Sequence, residues 1–481
     1  MGWWIRQKVH SSWCVALGAA CFVAGVTTAL WVQLSPFVGL FLIVPLIACV
    51  WLGRYYALPI LAVCAFLLGV SYGSLHMLGR EQYNPIQGHE VLMRGAIKED
   101  IGHSTGGSVS IQLDHVFIDG QALPGTVLVT GRSSAHLLRG DTIQLRGTVH
   151  DGLGSFPATV TMRSLLAIER QPLGDIGRVV RDWFADGVRR AIPEPEASLG
   201  VGFLTGQKSA LPSELSDSLK IAGLTHIVVA SGYNLTILVR VARKLLLRIS
   251  KYISAVSAAA MIISFVTITG LSPSMTRAGL VSGLSLLAWY YGHAFHPLVL
   301  LPLAAAVTVV AQPSYAWGDM GWQLSFMAFF GVMIIAPLLH AYFFGNKEPG
   351  TIRQILGETI AAHIVTVPII ALGFGTISNV AIIANVVVVP LVPLAMLLTF
   401  LCGVWSLLGV PLLALLATPT TWLLGYMTHA ASYIAELPWA QSQLTTRPIV
   451  WTVYGLIVAT VCLWMWRKTR YSLRDSQALL A

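Results

Sequence analysis

The stretch THIVVASGYNLTIL, residues 225–238, places His226, Ser231, Gly232, Tyr233 and Asn234 within nine residues of a strongly apolar part of the chain. A plain membrane anchor needs none of these groups, because a polar group in hydrocarbon is costly unless it is hydrogen-bonded. On an unbroken helix His226, Ala230 and Asn234 would share one face, with Ser231 and Tyr233 beside it. Gly232 permits the helix to loosen, which frees backbone carbonyls and amides that then need partners. Two roles suit such a set. One is hydrogen-bonding glue between helices; the other is the lining of a hydrated path for a polar substrate. The residues alone leave both open.

Three further stretches put polar groups at the same depth. In GLSPSMTRAGL, residues 270–280, Arg277 stands one turn inside a predicted helix that starts near Pro273. It either snorkels to the interface or serves as a fixed cation that attracts phosphate. In WGDMGWQLSF, Asp319 caps a predicted span and Gln323 projects into it. In FGTISNVAIIANVVVVPLVPLAML, Asn379 and Asn385 precede Pro390 and Pro393, the pattern of a kinked, discontinuous helix. Carboxylates are expected only near helix ends, at Asp319, Glu358 and Glu436. A path lined by neutral hydrogen-bonding groups with Arg and His suits a polyanion better than a coupled cation.

The elements that must position these residues follow from composition. Of 481 residues 55% are apolar and 11% charged, against about 25% charged in a soluble domain. With a mean hydropathy of +0.72, the chain reads as a polytopic α-helical membrane protein. Its long apolar runs are continuous rather than alternating, which excludes a transmembrane β-barrel. The net charge of +9 is no evidence for nucleic acid, since cytoplasmic loops of membrane proteins are basic. All six cysteines fall in predicted spans, so no disulfide framework or CxxC zinc site is expected.

Five regions are expected. Residues 1–79 hold three spans (13–33, 37–52, 57–77), the first reading as a retained signal anchor. Residues 80–172 alternate apolar and polar positions between turn signals, which predicts five strands in a small extracellular closed barrel, OB-like. Seven Lys/Arg against ten Asp/Glu between Glu81 and Asp175 make it a weak guide for DNA or a packing module. Residues 173–195 form an amphipathic interfacial helix, with Trp183 and Phe184 on its apolar side and Arg178, Arg181, Arg189 and Arg190 on its polar one. Residues 196–470 are a second membrane region. It opens with a re-entrant or half-length segment and continues with spans 224–246, 253–270, 274–291, 297–310, 322–344, 355–374, 380–401, 404–432 and 449–466. Residues 471–481 are a tail. Twelve spans and the basic clusters around Arg243 and Arg467 put both termini in the cytoplasm.

HIVVASGYNLTIL, SPSMTRAGLVSGLSLLAWYYG and GWQLSFMAFFGVMIIAPLL, in this order, resemble three successive blocks of the ComEC-type competence channels. The resemblance also covers the layout of early spans, OB-like domain, amphipathic helix and membrane domain. It implies a channel, not an enzyme, that carries single-stranded DNA across the bacterial cytoplasmic membrane during natural transformation. It further implies that His226, Ser231, Asn234, Arg277, Gln323 and Asn385 lie near the DNA path; Gly232, Tyr233 and Asn379 complete the candidate set. The implied partners are single-stranded DNA, the bilayer, an extracellular DNA receptor, a separate nuclease and a cytoplasmic ATPase that pulls the strand. Many relatives carry a metallo-β-lactamase-like nuclease domain after the membrane region. This sequence ends fifteen residues after Trp466, and none of its thirteen histidines forms an HxHxDH motif. The nearest spacing, His293 and His296, lacks the carboxylate and a third histidine, so no metal or cofactor is expected. Two readings of other classes are a flippase or ligase for a lipid-linked polyanion, and an intramembrane serine protease using Ser231 with a histidine such as His363.

Overall fold

A computed structural model describes residues 10–52, 57–103, 108–133, 135–170, 175–207, 211–228, 232–270, 272–292, 296–345, 350–409, 413–444 and 447–469. Helices dominate, with one substantial sheet. The chain forms two compact units: Met1–Gly174 with Phe295–Gln323, and Asp175–Ala294 with Leu324–Ala481.

In the first unit, α1 (Ser11–Thr28), α2 (Pro36–Leu52) and α3 (Ala57–Glu81) come first. Their apolar sequence leaves close packing as the means of association, since lipid tails are as apolar as the side chains. A Cβ on Gly25 would lie 2.0 Å from the Phe66 carbonyl, and one on Gly69 would lie 2.2 Å from the Phe22 carbonyl. Only glycine allows α1 and α3 this approach. The Ser71 hydroxyl donates to the Ser35 carbonyl (2.9 Å) and accepts from the Gly39 amide (3.0 Å), which fixes the start of α2 on α3.

The strands follow as β1 (Glu90–Ile97), β2 (Gly102–His103), β3 (Ser108–Ile118), β4 (Gln121–Leu123), β5 (Val127–Arg132), β6 (Thr142–Asp151) and β7 (Ala158–Glu169). Alternation does what the sequence predicts: Val109, Ile111 and Leu113 of β3 point inward with Ile143, Leu145 and Val149 of β6. The simple closed barrel of five strands needs correction. The sheet has seven strands, ordered β1-β6-β7-β5-β3-β2 with β4 on β3, and β1 also pairs β3. Two seams are short: three residue pairs join β5 to β7, and four join β1 to β3 across a register shift. Tyr83 is fully buried under the sheet, and its hydroxyl donates to the Pro124 carbonyl (3.1 Å). Burial, with the Asp114 carboxylate as a lesser cause, pushes the phenol pKa up and keeps it a donor.

The unit closes with α11 (Pro297–Ala311) and the first turn of α12 (Met320–Phe330). The Asp319 carboxylate accepts from the Trp322 amide (2.7 Å), the N-cap expected of it.

The second unit holds α4 (Ile176–Ala191), α5 (Glu196–Thr205), α6 (Ser213–Ile221), α7 (Thr225–Val228), α8 (Gly232–Leu246), α9 (Lys251–Thr269) and α10 (Pro273–Tyr290). After the rest of α12 come a π-helical turn at Gly331–Ile335, α13 (Ala336–Phe344), α14 (Thr351–Phe374), α15 (Ala381–Val388), α16 (Val392–Leu407), α17 (Leu413–Ala435) and α18 (Pro448–Thr469). The short strands β8 (Thr376–Ser378) and β9 (Gln441–Gln443) pair antiparallel. The ten residues of α5 rise only about 15 Å, too little to cross a bilayer, and from Ala197 to Thr205 every one is buried. Such a half-length helix survives in a membrane only against protein.

Among the described residues seven helical stretches are long and apolar enough to cross a membrane: Ser11–Thr28, Ala57–Ile86, Lys251–Thr269, Met320–Phe344, Ile352–Phe374, Ala381–Leu407 and Pro448–Thr469. The expected twelve are not reached for local reasons. In the stretch 224–246, residues 229–231 lie outside the described ones and α8 carries Arg240, Arg243 and Lys244. The first turn of α10 is polar and holds Arg277, and α11 has only 15 residues. One boundary also moves. The segments expected at 380–401 and 404–432 divide instead at Gly409, whose φ of +63° lies in the left-handed region that ends helices.

Candidate functional site

The stretch around Gly232 comes first. α7 and α8 flank residues 229–231, which include Ser231 and lie outside the described residues, and Tyr233 is the second described residue of α8. Asn234 is fully buried, and its amide donates to the carbonyls of Phe203 (2.9 Å) and Ile227 (3.3 Å). Phe203 sits in the last turn of α5, where carbonyls have no intrahelical donor. Asn234 therefore ties α8 to the end of α5 and to α7. His226 is exposed, and its Nδ1–H donates to the Gly223 carbonyl (2.9 Å). That fixes the neutral tautomer with Nε2 as an open acceptor.

Arg277 approaches Gly232 of α8. A Cβ on Gly232 would lie 3.3 Å from its Nη2 and 3.3 Å from the Cβ of Ala278. The guanidinium lies deep among protein atoms and only partly accessible. Its Nε–H donates to the Ser325 hydroxyl (2.6 Å), which is 3.5 Å from that of Ser274. The rings of Phe329 and Phe326 lie 5.3 and 6.0 Å from its central carbon, within cation–π range. Among the described residues no carboxylate pairs with it. A buried cation without an anion is costly, and it is tolerated where an anionic ligand completes it.

The other candidates separate. Asn385 is 6% exposed; its Nδ2 reaches the Thr359 hydroxyl at 3.5 Å, and its Oδ1 has no partner. The chain then passes through a 3-10 turn, Val389–Leu391, into α16, the interruption that Pro390 and Pro393 impose. Asn379 is exposed and donates to the Trp439 carbonyl (2.8 Å) and the Ser442 hydroxyl (2.6 Å), so it secures the β8–β9 hairpin. Gln323 is half-buried in the first turn of α12, in the other compact unit.

Two expectations change. In α4, Ile176, Val179, Val180 and Trp183 are exposed, and Trp183 is 60% so. Arg181, expected on the polar outer side, is instead 3% exposed and 3.1 Å from Asp182. Arg178 and Arg189 reach Asp182 and Glu194, Arg190 is exposed, and Phe184 stacks on Phe400 of α16 at 6.1 Å. The helix thus buries part of its polar side in protein and turns apolar residues outward. Second, Glu358 is not near a helix start. α14 begins at Thr351, so Glu358 stands about two turns in, half-buried, accepting from the Gln354 amide (2.8 Å). Sequence reasoning missed Ser325 and Thr359 as partners, although Ser325 stands in the motif that drew attention to Gln323. Among the described residues no group of three or more His, Cys, Asp or Glu could hold a metal ion.

A family model described as "competence protein" matches residues 203–470, more than half of the chain. No curated protein and no solved structure matches it.

Proposed function

Since the chain belongs to the competence-protein family, whose role lies in DNA uptake during transformation, we propose that it is a channel rather than an enzyme and passes single-stranded DNA across the cytoplasmic membrane. The observation that carries this reading is Arg277: a guanidinium deep in a helical unit, beside Gly232 of α8, with no carboxylate among the described residues. A strand of phosphodiesters is the ligand such a cation suits. His226 of α7, with an open Nε2, supplies a hydrogen-bond acceptor without adding negative charge.

The same proposal assigns the sheet an OB-like role outside the membrane. Supporting it, β1, β3, β5, β6 and β7 bury alternating side chains in one shared core, although the seven-stranded sheet is not a closed barrel. Both termini are assigned to the cytoplasm. The basic residues at the α8–α9 connection (Arg243, Lys244, Arg248, Lys251) and at the end of α18 (Arg467, Lys468) support that side.

The test is a deletion strain given labelled DNA. The label is expected to stay at the cell surface, open to added nuclease, with none reaching the cytosol and transformants lost. Normal transformation without the protein overturns the reading.

A further inference from the structure

An open groove of about 580 Å³ runs between α9 and α10. Ile262 and Val266 of α9 line it with Thr276, Gly279, Gly283 and Leu287 of α10. The α10 residues recur at helical spacing and form one stripe. Glycine makes the hollow, since a Cβ on Gly283 would meet nothing within 4 Å. From Thr276 to Leu287 the stripe is about 16 Å long. That is roughly half of a ~30 Å hydrocarbon core, the depth one acyl chain fills.

The two ends of the groove differ. At one, Gly177 of α4 packs against the Thr267 carbonyl, where any side chain would clash. At the other, Tyr290 continues the stripe one turn past Leu287, and the Lys251 ammonium lies 5.5 Å from its ring and 5.6 Å from that of Trp289. The Arg243 guanidinium lies 4.3 Å from the same Trp289 ring, and its buried Nε has no hydrogen-bond partner. Two cations gathered on one ring repel each other, and α8, α9 and α10 contain no Asp or Glu to offset them. An apolar slot one leaflet deep, with cations and amphipathic rings at its mouth, is complementary to a lipid whose head is negative.

We propose that the α9–α10 groove is a binding site for one chain of an anionic phospholipid, with Lys251 and Arg243 at the headgroup phosphate and Trp289 and Tyr290 beside it. The site is independent of what the protein transports.

The test places the full chain in phosphatidylcholine nanodiscs that carry a trace of phosphatidylglycerol with a photoreactive diazirine on one chain. Peptide mass spectrometry then maps the adducts. They are expected on α9 and α10 along the groove. Exchanging part of the phosphatidylcholine for unlabelled phosphatidylglycerol, with the probe fraction constant, should reduce them about five-fold or more. Adducts on the exposed Leu456 and Ile457 of α18 should not change, because lipid there is held by no charge. This arm uses the unaltered protein, so no folding defect can mimic it. K251Q and R243Q should each lower the groove adducts about five-fold, and K251R should keep them. Lys251 is exposed at the first residue of α9, so K251Q decides if R243Q lowers the unfolding midpoint. G283L fills the hollow and should remove the α10 adducts at an unchanged midpoint, since its Cβ stands in open space. Groove adducts that ignore unlabelled phosphatidylglycerol, that survive K251Q, or that persist in G283L overturn the site. So does a thymidine oligonucleotide that displaces the probe as strongly as phosphatidylglycerol does, since the basic mouth then serves a nucleic-acid strand.

Discussion

Two buried asparagines in the second unit are used differently. In α8, Asn234 is fully enclosed and gives its amide hydrogens to a carbonyl of α5 and one of α7. At the α15–α16 break, Asn385 is almost as buried but makes one long contact, 3.5 Å to Thr359, and its Oδ1 has no partner. Exchanging the two ends of that amide would let the Thr359 hydroxyl donate instead, and the nitrogen would then be the open end. Either way half of the Asn385 amide is unused. The first asparagine is a strut. The second holds hydrogen-bonding capacity that the fold does not consume. Residue type is the same in both; the difference lies in whether backbone carbonyls of neighbouring helices stand within reach.

The sharpest way to break this comparison is Asn234→Ala. It strands the Phe203 and Ile227 carbonyls in a place water does not reach, which should cost about 2–4 kcal/mol. A lowered unfolding midpoint in detergent and lower abundance in the membrane would report it. Asn234→Asp should do no better, since a carboxylate facing two carbonyls replaces donors with acceptors. A variant with unchanged midpoint would mean the two bonds are not what joins α5 to α7. Asn379→Ala gives a smaller effect. Its two hydrogen bonds secure the β8–β9 hairpin from an exposed position, where water can replace them, so about 1 kcal/mol or less is expected. Membrane abundance should stay near that of the unaltered protein, and a collapse would show that the hairpin has a larger role than its exposure indicates.

The unequal fates of these residues mark what could be read from the sequence. Gly232 among polar neighbours predicts an interruption, and residues 229–231 just before it lie outside the described ones. Pro390 and Pro393 predict another, and a 3-10 turn stands at Val389–Leu391. That second signal is local: residues without an amide hydrogen. Alternation in the β region is likewise local and survived into β3 and β6. What depends on partners far along the chain did not show. Nothing near Asn379 says that Trp439 and Ser442 take its hydrogens, and nothing near Arg277 names Ser325, 48 residues away. Arg181 looked like an outward charge because periodicity sorts residues into two faces without saying which face meets protein. The end of α16 was misplaced for a related reason. The apolar run has no internal contrast there, and the stop is a glycine conformation at Gly409 that hydropathy does not register.

The subtlest prediction concerns Asn385 and separates stability from transport. Asn385→Leu keeps the volume of the side chain and removes a half-satisfied amide from an apolar surround. Replacing such a group with a matching apolar one is close to neutral, within about 1 kcal/mol, so the unfolding midpoint should barely move. If the unused half of the amide serves the passing strand, DNA uptake should fall at unchanged protein abundance. That pairing of outcomes is what a strut cannot give, because a strut loses stability and uptake together. A midpoint drop as large as that of Asn234→Ala would make the two asparagines equivalent and dissolve the comparison. An unchanged midpoint with unchanged uptake would leave Asn385 outside the path and leave Arg277, beside Gly232, and His226 as the candidates for polar contact with the strand.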